Sequence, residues 1–198
     1  MLPLSETDCQ FLLRLARREL EEKILAQPLP AMGEIPSSLE RPSGAFVTLH
    51  EGGRLRGCIG RVETVAPLHL TVRECALSAA IHDPRFDPVR PEKVENLHIE
   101  ISVLSSFQEI QPEEIEVGRH GLLVSHGGRR GLLLPQVAVE WEWDRMRFLE
   151  ETCAKAGLPL DAWQRGARIQ AFTAQIFAEK EPTARITACS PLNQRNRG

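Results

Sequence analysis

The chain contains no tyrosine, so any mechanism that needs a phenol is excluded. It has little charge of one sign: the formal net charge is -3, with acids and bases interspersed. Gripping a nucleic-acid backbone takes a concentrated basic surface, and that footprint is missing. Strong nucleic-acid binding is therefore not expected. No apolar run approaches the roughly 18 residues of a membrane span, and "MLPLSETDCQ" has neither the basic start nor the apolar block of a secretory signal. The expectation is a cytoplasmic protein with no membrane segment. The five cysteines, at 9, 58, 75, 153 and 189, are an odd number with no CxxC pair. That speaks against a disulfide framework and against a zinc ribbon. No cofactor and no metal site is expected: His120 and His126 have no carboxylate between them, and the acidic run 113–116 reads as a solvated edge or turn.

What is present suffices for one domain of 198 residues that buries its own core without staples. Residues 5–26 read as a helix opened by Ser5-x-x-Asp8, with Cys9, Leu13, Ala16, Leu20 and Ile24 on one stripe. "AFVTLHEGGRLRGCIG" has the form of a hairpin with Gly52-Gly53 in a type I′ turn. Counting outward pairs Glu51 with Arg54, His50 with Leu55, Leu49 with Arg56, Thr48 with Gly57 and Val47 with Cys58. On that register Arg54, Arg56 and Cys58 share one face. Gly57 and Gly60 weaken the strand, as glycines do at bulges and where a backbone or ligand approaches closely.

A second helix follows Pro67 with Leu68, Val72, Cys75, Ala76, Ala79 and Ala80 on a small-residue face. It stops at "DPRFDPVRP", whose prolines make a stiff loop carrying Asp83, Arg85, Phe86 and Asp87. "HIEISVL" alternates as a half-buried strand, a second hairpin turns near Gly127-Gly128, and residues 144–156 form a helix with Met146, Leu149 and Cys153 inward. "RIQAFTAQIFAEK" reads as one late strand. Trp141, Trp143 and Trp163 are expected in the core, and the histidines other than His120 at the surface or in turns. The fold class is α+β with a largely antiparallel sheet flanked by helices.

Six segments, "LRGCIG", "DPRFDPV", "IEISVLS", "GRHGLLV", "LLLPQVAVEWEWD" and "CAKAGLPLDAW", resemble in order the AMMECR domain family. The resemblance runs over about residues 8–181, leaving 182–198 as an exposed tail. It implies a larger and a smaller lobe with a cleft at "LRGCIG". It names no reaction. Its prokaryotic members are associated with Memo-like and radical-SAM proteins, which implies those partners in a shared modification pathway.

Cys58 carries three readings: a nucleophile, a residue of a non-covalent binding site, or a small packed hydrophobe. A nucleophile needs a neighbouring cation, which Arg56 would supply, and a base, for which His120 is the candidate because it alone of the histidines falls in a family motif. Arg56, Asp83 and Arg85, with Gly57 and Gly60, form the candidate binding set for a small anionic ligand. The competing reading is an internal salt bridge, of Asp83 or Asp87 with an arginine, that holds the proline-rich loop against the hairpin. An enzyme or enzyme subunit and a non-catalytic docking module both stand.

Overall fold

A computed structural model describes residues 3–63 and 65–180 and shows an α+β protein with two antiparallel sheets. In chain order the elements are α1 (Glu6–Ile24), β1 (Ala45–Glu51), β2 (Arg54–Arg61), α2 (Leu68–Ile81), β3 (Leu97–Leu104), β4 (Gln108–Glu109), β5 (Gly121–His126), β6 (Arg129–Leu133), α3 (Pro135–Glu140), α4 (Arg145–Lys155), β7 (Arg168–Phe172) and β8 (Ala174–Ala178). The first sheet has strand order β2-β1-β3-β8 and the second β4-β7-β5-β6. The tail 182–198, with Cys189, lies outside the described residues.

The first sheet has one buried and one open face. Ala45, Val47 and Leu49 of β1 stand directly beside Val103, Ile101 and Ile99 of β3. All six are buried with Leu12, Ala16 and Leu20 of α1 and Leu68, Val72, Ala76 and Ala79 of α2. Alternation then puts Phe46, Thr48 and His50, beside Ser102, Glu100 and His98, on the opposite face. Helix α1 begins as its sequence dictates: the Ser5 hydroxyl accepts from the Asp8 N–H and the Asp8 carboxylate accepts from the Ser5 N–H, both at 3.1 Å. Cys9, Cys75 and Cys153 are buried.

The expected single late strand is two strands in two sheets. β7 pairs with β5 and β8 with β3, and the chain crosses between them at Thr173. Ser105 pins the crossing, donating its N–H to the Thr173 carbonyl at 2.8 Å and accepting from the Thr173 N–H at 2.9 Å. Phe172 anchors the near side with its ring edge-on to Phe107, centroids 5.2 Å apart. A β-prone run cannot by itself show that its pairing partner changes halfway.

The helix 144–156 forms, but its buried stripe is Phe148, Leu149, Thr152 and Cys153, while Met146 is 43% exposed. The Asp144 side chain caps the helix at the Arg147 N–H, and in the resulting phase the larger Phe148 occupies the core position expected for Met146. Trp141 is likewise at the surface, 67% exposed and stacked on Trp143. His69, expected at the surface, is buried with its Nδ1 3.1 Å from the Leu39 carbonyl. No described helix is long and apolar enough to cross a membrane.

Candidate functional site around Cys58

The hairpin turns on Gly52 and Gly53, both at positive φ. Its register follows the count only as far as His50 opposite Leu55. A bulge then intervenes, so that Leu49 faces Gly57, Thr48 faces Cys58 and Val47 faces Ile59. The expected pairs Leu49–Arg56, Thr48–Gly57 and Val47–Cys58 are therefore replaced, and Arg56 is the extra residue. The physical reason is α2. An added Cβ at Gly57 would lie 2.1 Å from the Ala79 carbonyl oxygen, so the helix backbone leaves room at this point of the strand only for a glycine turned toward it.

The bulge also moves the thiol. Cys58 stands on the open face with Thr48 instead of sharing a face with Arg54 and Arg56. The Cys58 N–H and C=O point away from β1, so Thr48 and Cys58 form a non-hydrogen-bonded pair, the kind whose side chains approach most closely. Accordingly the Thr48 hydroxyl donates to Cys58 Sγ at 3.3 Å.

Those outward backbone groups lie on an edge strand, and the loop after α2 takes both. Asp83 is buried; one of its carboxylate oxygens accepts from the Cys58 N–H at 2.8 Å. Arg85 donates to the Cys58 carbonyl at 3.2 Å and grips the same carboxylate through Nε at 2.9 Å and Nη2 at 2.7 Å. The Arg85 guanidinium, helped by the backbone N–H groups of Cys58 and Arg85, holds the Asp83 carboxyl well below the usual carboxylate range. The Asp83–Arg85 salt bridge lies within the loop, and both residues hold the hairpin through hydrogen bonds to the Cys58 backbone. It leaves the Arg85 side chain about half exposed.

Arg56 reaches the same loop. Its Nη2 donates to the Asp87 carbonyl at 2.7 Å, and its Nε stands 4.0 Å from a Glu51 carboxylate oxygen. Its Nη1 is buried with no hydrogen-bond partner among the described residues. The two guanidinium carbons lie 6.0 Å (Arg56) and 5.4 Å (Arg85) from the Phe86 ring centroid, so two cations share one aromatic ring beside the cysteine strand. Gly60, opposite Phe46, makes room for that ring: a Cβ there would lie 2.2 Å from it.

His120 is held elsewhere, in the turn before β5 of the second sheet. Its Nδ1 accepts from the Glu116 N–H at 3.1 Å, and no hydrogen bond joins it to Cys58. The structure thus brings Arg56, Gly57, Cys58, Asp83 and Arg85 together, with Gly60 two residues along the same strand, and leaves His120 out of that group. Counting from the sequence missed Thr48, His50, His98 and Glu100. His50 faces His98 directly, and Thr48 stands between Cys58 and Glu100 in one row across three strands. A hollow of about 1050 Å³ is lined by His50, Gly52, Gly53, His98, Glu100 and Lys180 among others, and neither Thr48 nor Cys58 lines it. The signal was available in "HIEISVL", whose alternation puts His98 and Glu100 on the polar side of β3. Among the described residues no group of three or more His, Cys, Asp or Glu could hold a metal ion.

A sequence profile of the AMMECR1 family matches residues 13–177. The chain belongs to the AMMECR1 family. A Methanosarcina acetivorans protein is 42% identical over 193 residues, covering 92% of this chain and 97% of its own. A Pyrococcus furiosus member is 44% identical over 186 residues, covering 87% of this chain and 89% of the relative. The crystal structure of an uncharacterized Pyrococcus horikoshii protein matches with a TM-score of 0.81 at 42% identity, over 89% of this chain and 94% of that one. These AMMECR1-type relatives are similar over nearly their whole length. The Cys58 strand and the Asp83–Asp87 loop fall within the matched region.

Proposed function

We propose that this AMMECR1-family protein is an enzyme or enzyme subunit that uses the Cys58 thiol on a small substrate carrying an anionic group. The observation that carries the reading is the contrast among its cysteines. Cys9, Cys75 and Cys153 are buried, whereas Cys58 is only half-buried and takes a hydroxyl donor on its sulfur. Burial pushes the Cys75 thiol up to about 11, which keeps it protonated and inert at neutral pH. The Cys58 backbone is held on one side by the sheet and on the other by Asp83 and Arg85, so the sulfur has a fixed position from which a thiolate could form a bond to an electrophilic carbon. Arg85, about half exposed beside it, supplies charge that would orient a carboxylate or phosphate.

The test compares neutral iodoacetamide with anionic iodoacetate on the native protein, with each cysteine read by peptide mass spectrometry. Cys58 is expected to react while Cys9, Cys75 and Cys153 stay protected. Its rate ratio should favour iodoacetate relative to a free thiol, and Arg85→Gln should lower that ratio. A Cys58 that stays unlabelled until the protein unfolds would overturn the reading and leave packing as its role.

A second reading is a docking or substrate-presenting module for the Memo-like and radical-SAM partners that the family resemblance implies. The observation favouring it is the exposed Trp141, stacked on Trp143 and close in sequence to the exposed Val139. On that reading Trp141→Ala abolishes partner capture with the melting temperature unchanged, and Cys58→Ser is neutral.

A further inference from the structure

Among the described residues the Cys58 sulfur has a hydroxyl donor and a cation beside it, but no base. Thr48 makes the one hydrogen bond to Sγ, at 3.3 Å. His120 belongs to the second sheet. Asp83 cannot take the proton, because each of its oxygens already accepts two hydrogen bonds: Oδ1 from the Arg85 N–H and Nε, Oδ2 from the Cys58 N–H and Arg85 Nη2. Held well below the usual carboxylate range, it stays ionised.

That carboxylate fixes Arg85 in place. Nε and Nη2 serve Asp83, Nη2 also donates to the Cys58 carbonyl, and Nη1 has no hydrogen-bond partner among the described residues. The side chain is 54% exposed. Asp83 chiefly, and the Cys58 side chain after it, keep the guanidinium above its usual pKa, so the cation faces the sulfur as well as the carboxylate. A thiol flanked by fixed donors and no proton-transfer group suits one class of electrophile. Acyl transfer calls for a general acid to protonate the departing group. A hydroperoxide has a weak O–O bond and two acceptor oxygens, and donors already aimed at them stabilise the charge that develops as that bond stretches.

We propose that Cys58, Thr48 and Arg85 form a site that reduces small hydroperoxides, ROOH, by two electrons. The thiolate attacks the terminal oxygen: the S–O bond forms, the O–O bond breaks, and its electron pair leaves on RO⁻, which takes a proton from water. Cys58 becomes a sulfenic acid and the hydroperoxide an alcohol, or water when R is hydrogen. The Thr48 hydroxyl donates to the sulfur and can accept from the incoming O–H. Arg85 Nη1 is the donor to the departing oxygen. A low-molecular-weight thiol then condenses with the sulfenic acid, losing water, and a second one displaces it as a disulfide and restores Cys58. Cys9, Cys75 and Cys153 are buried and do not compete for that step. This chemistry rests on the thiol reading above in one respect, that Cys58 is reachable.

The native protein is treated with hydrogen peroxide in the presence of dimedone, which traps sulfenic acids, and in parallel with iodoacetamide; each cysteine peptide is read by mass spectrometry. Trapping is expected at Cys58 and not at Cys9, Cys75 or Cys153. Its rate with peroxide should exceed that of free cysteine at the same pH by more than about tenfold. The ratio of peroxide rate to iodoacetamide rate, which cancels thiolate content, should fall in Thr48→Val and Arg85→Gln and recover in Thr48→Ser. A Cys58 that takes iodoacetamide but meets peroxide no faster than free cysteine does, or a ratio unchanged in both variants, would overturn hydroperoxide reduction and leave the carbon-directed thiol standing. A Cys58 unlabelled by either reagent would overturn both.

Discussion

Replacing Gly57 by alanine separates two reasons for the glycine in the cysteine strand. If it serves close packing, the cost follows from the geometry. The added Cβ would sit 2.1 Å from the Ala79 carbonyl oxygen and 3.0 Å from its carbonyl carbon, where ordinary contact begins at 3.4 Å. Both partners are backbone, one in a helix and one in a strand, so neither yields by a rotamer change. Overpacking of this kind costs about 1–3 kcal/mol, and two rigid elements put Gly57→Ala near the upper end. Reduced freedom of the unfolded chain returns about 0.4–1 kcal/mol, leaving a net loss of roughly 2 kcal/mol. For a domain of this size that lowers the melting temperature by about 4–8 °C. Gly33→Ala is the control, because nothing lies within 4 Å of a Cβ there. It should be neutral or slightly stabilising. Calorimetry on the three proteins decides: a Gly57→Ala chain that melts with the wild type would refute the packing argument and return the glycine to a ligand-binding role.

Asp83 makes acid stability depend on the same loop. Its folded pKa lies below its unfolded value of about 3.9, so the unfolded chain takes up the proton first. The stabilisation is complete above the unfolded value and fades as pH falls through it toward the folded one. Melting temperature against pH should drop more steeply in acid for the wild type than for Asp83→Asn; parallel curves would rule the carboxylate out as a contributor. In α4, Phe148→Ala should cost about 3–5 kcal/mol because Phe148 is fully buried, whereas Met146→Ala should stay within about 0.5 kcal/mol. Denaturant midpoints for the pair check the helix phase.

The first helix, the hairpin turn and the small-residue face of α2 were legible in the sequence because each rests on a local rule: a capping box, two glycines at positive φ, and a period of 3.6. That the proline-rich loop is held against the hairpin was legible too, though the partners were not: Asp83 pairs with Arg85 inside the loop and accepts from the Cys58 N–H on the strand. Register beyond the turn was not. Counting from Gly52-Gly53 assumes an unbroken ladder, and the bulge at Arg56 answers to Ala79, a residue more than twenty positions away that no strand pattern contains. His120 looked like a partner for Cys58 because both fall in motifs, but motif order says nothing about which sheet a turn belongs to.

The sequence by itself determined most of the helices and strands, the α+β class and the family, because capping, periodicity and turn geometry act over a few residues at a time. Tertiary structure alone decided that there are two sheets, that Cys58 meets Thr48 instead of Val47, and that among the described residues one strand edge of the first sheet is held by a loop. Each of those depends on contacts between distant segments, where the space left by a helix or loop overrides the local preference of the strand.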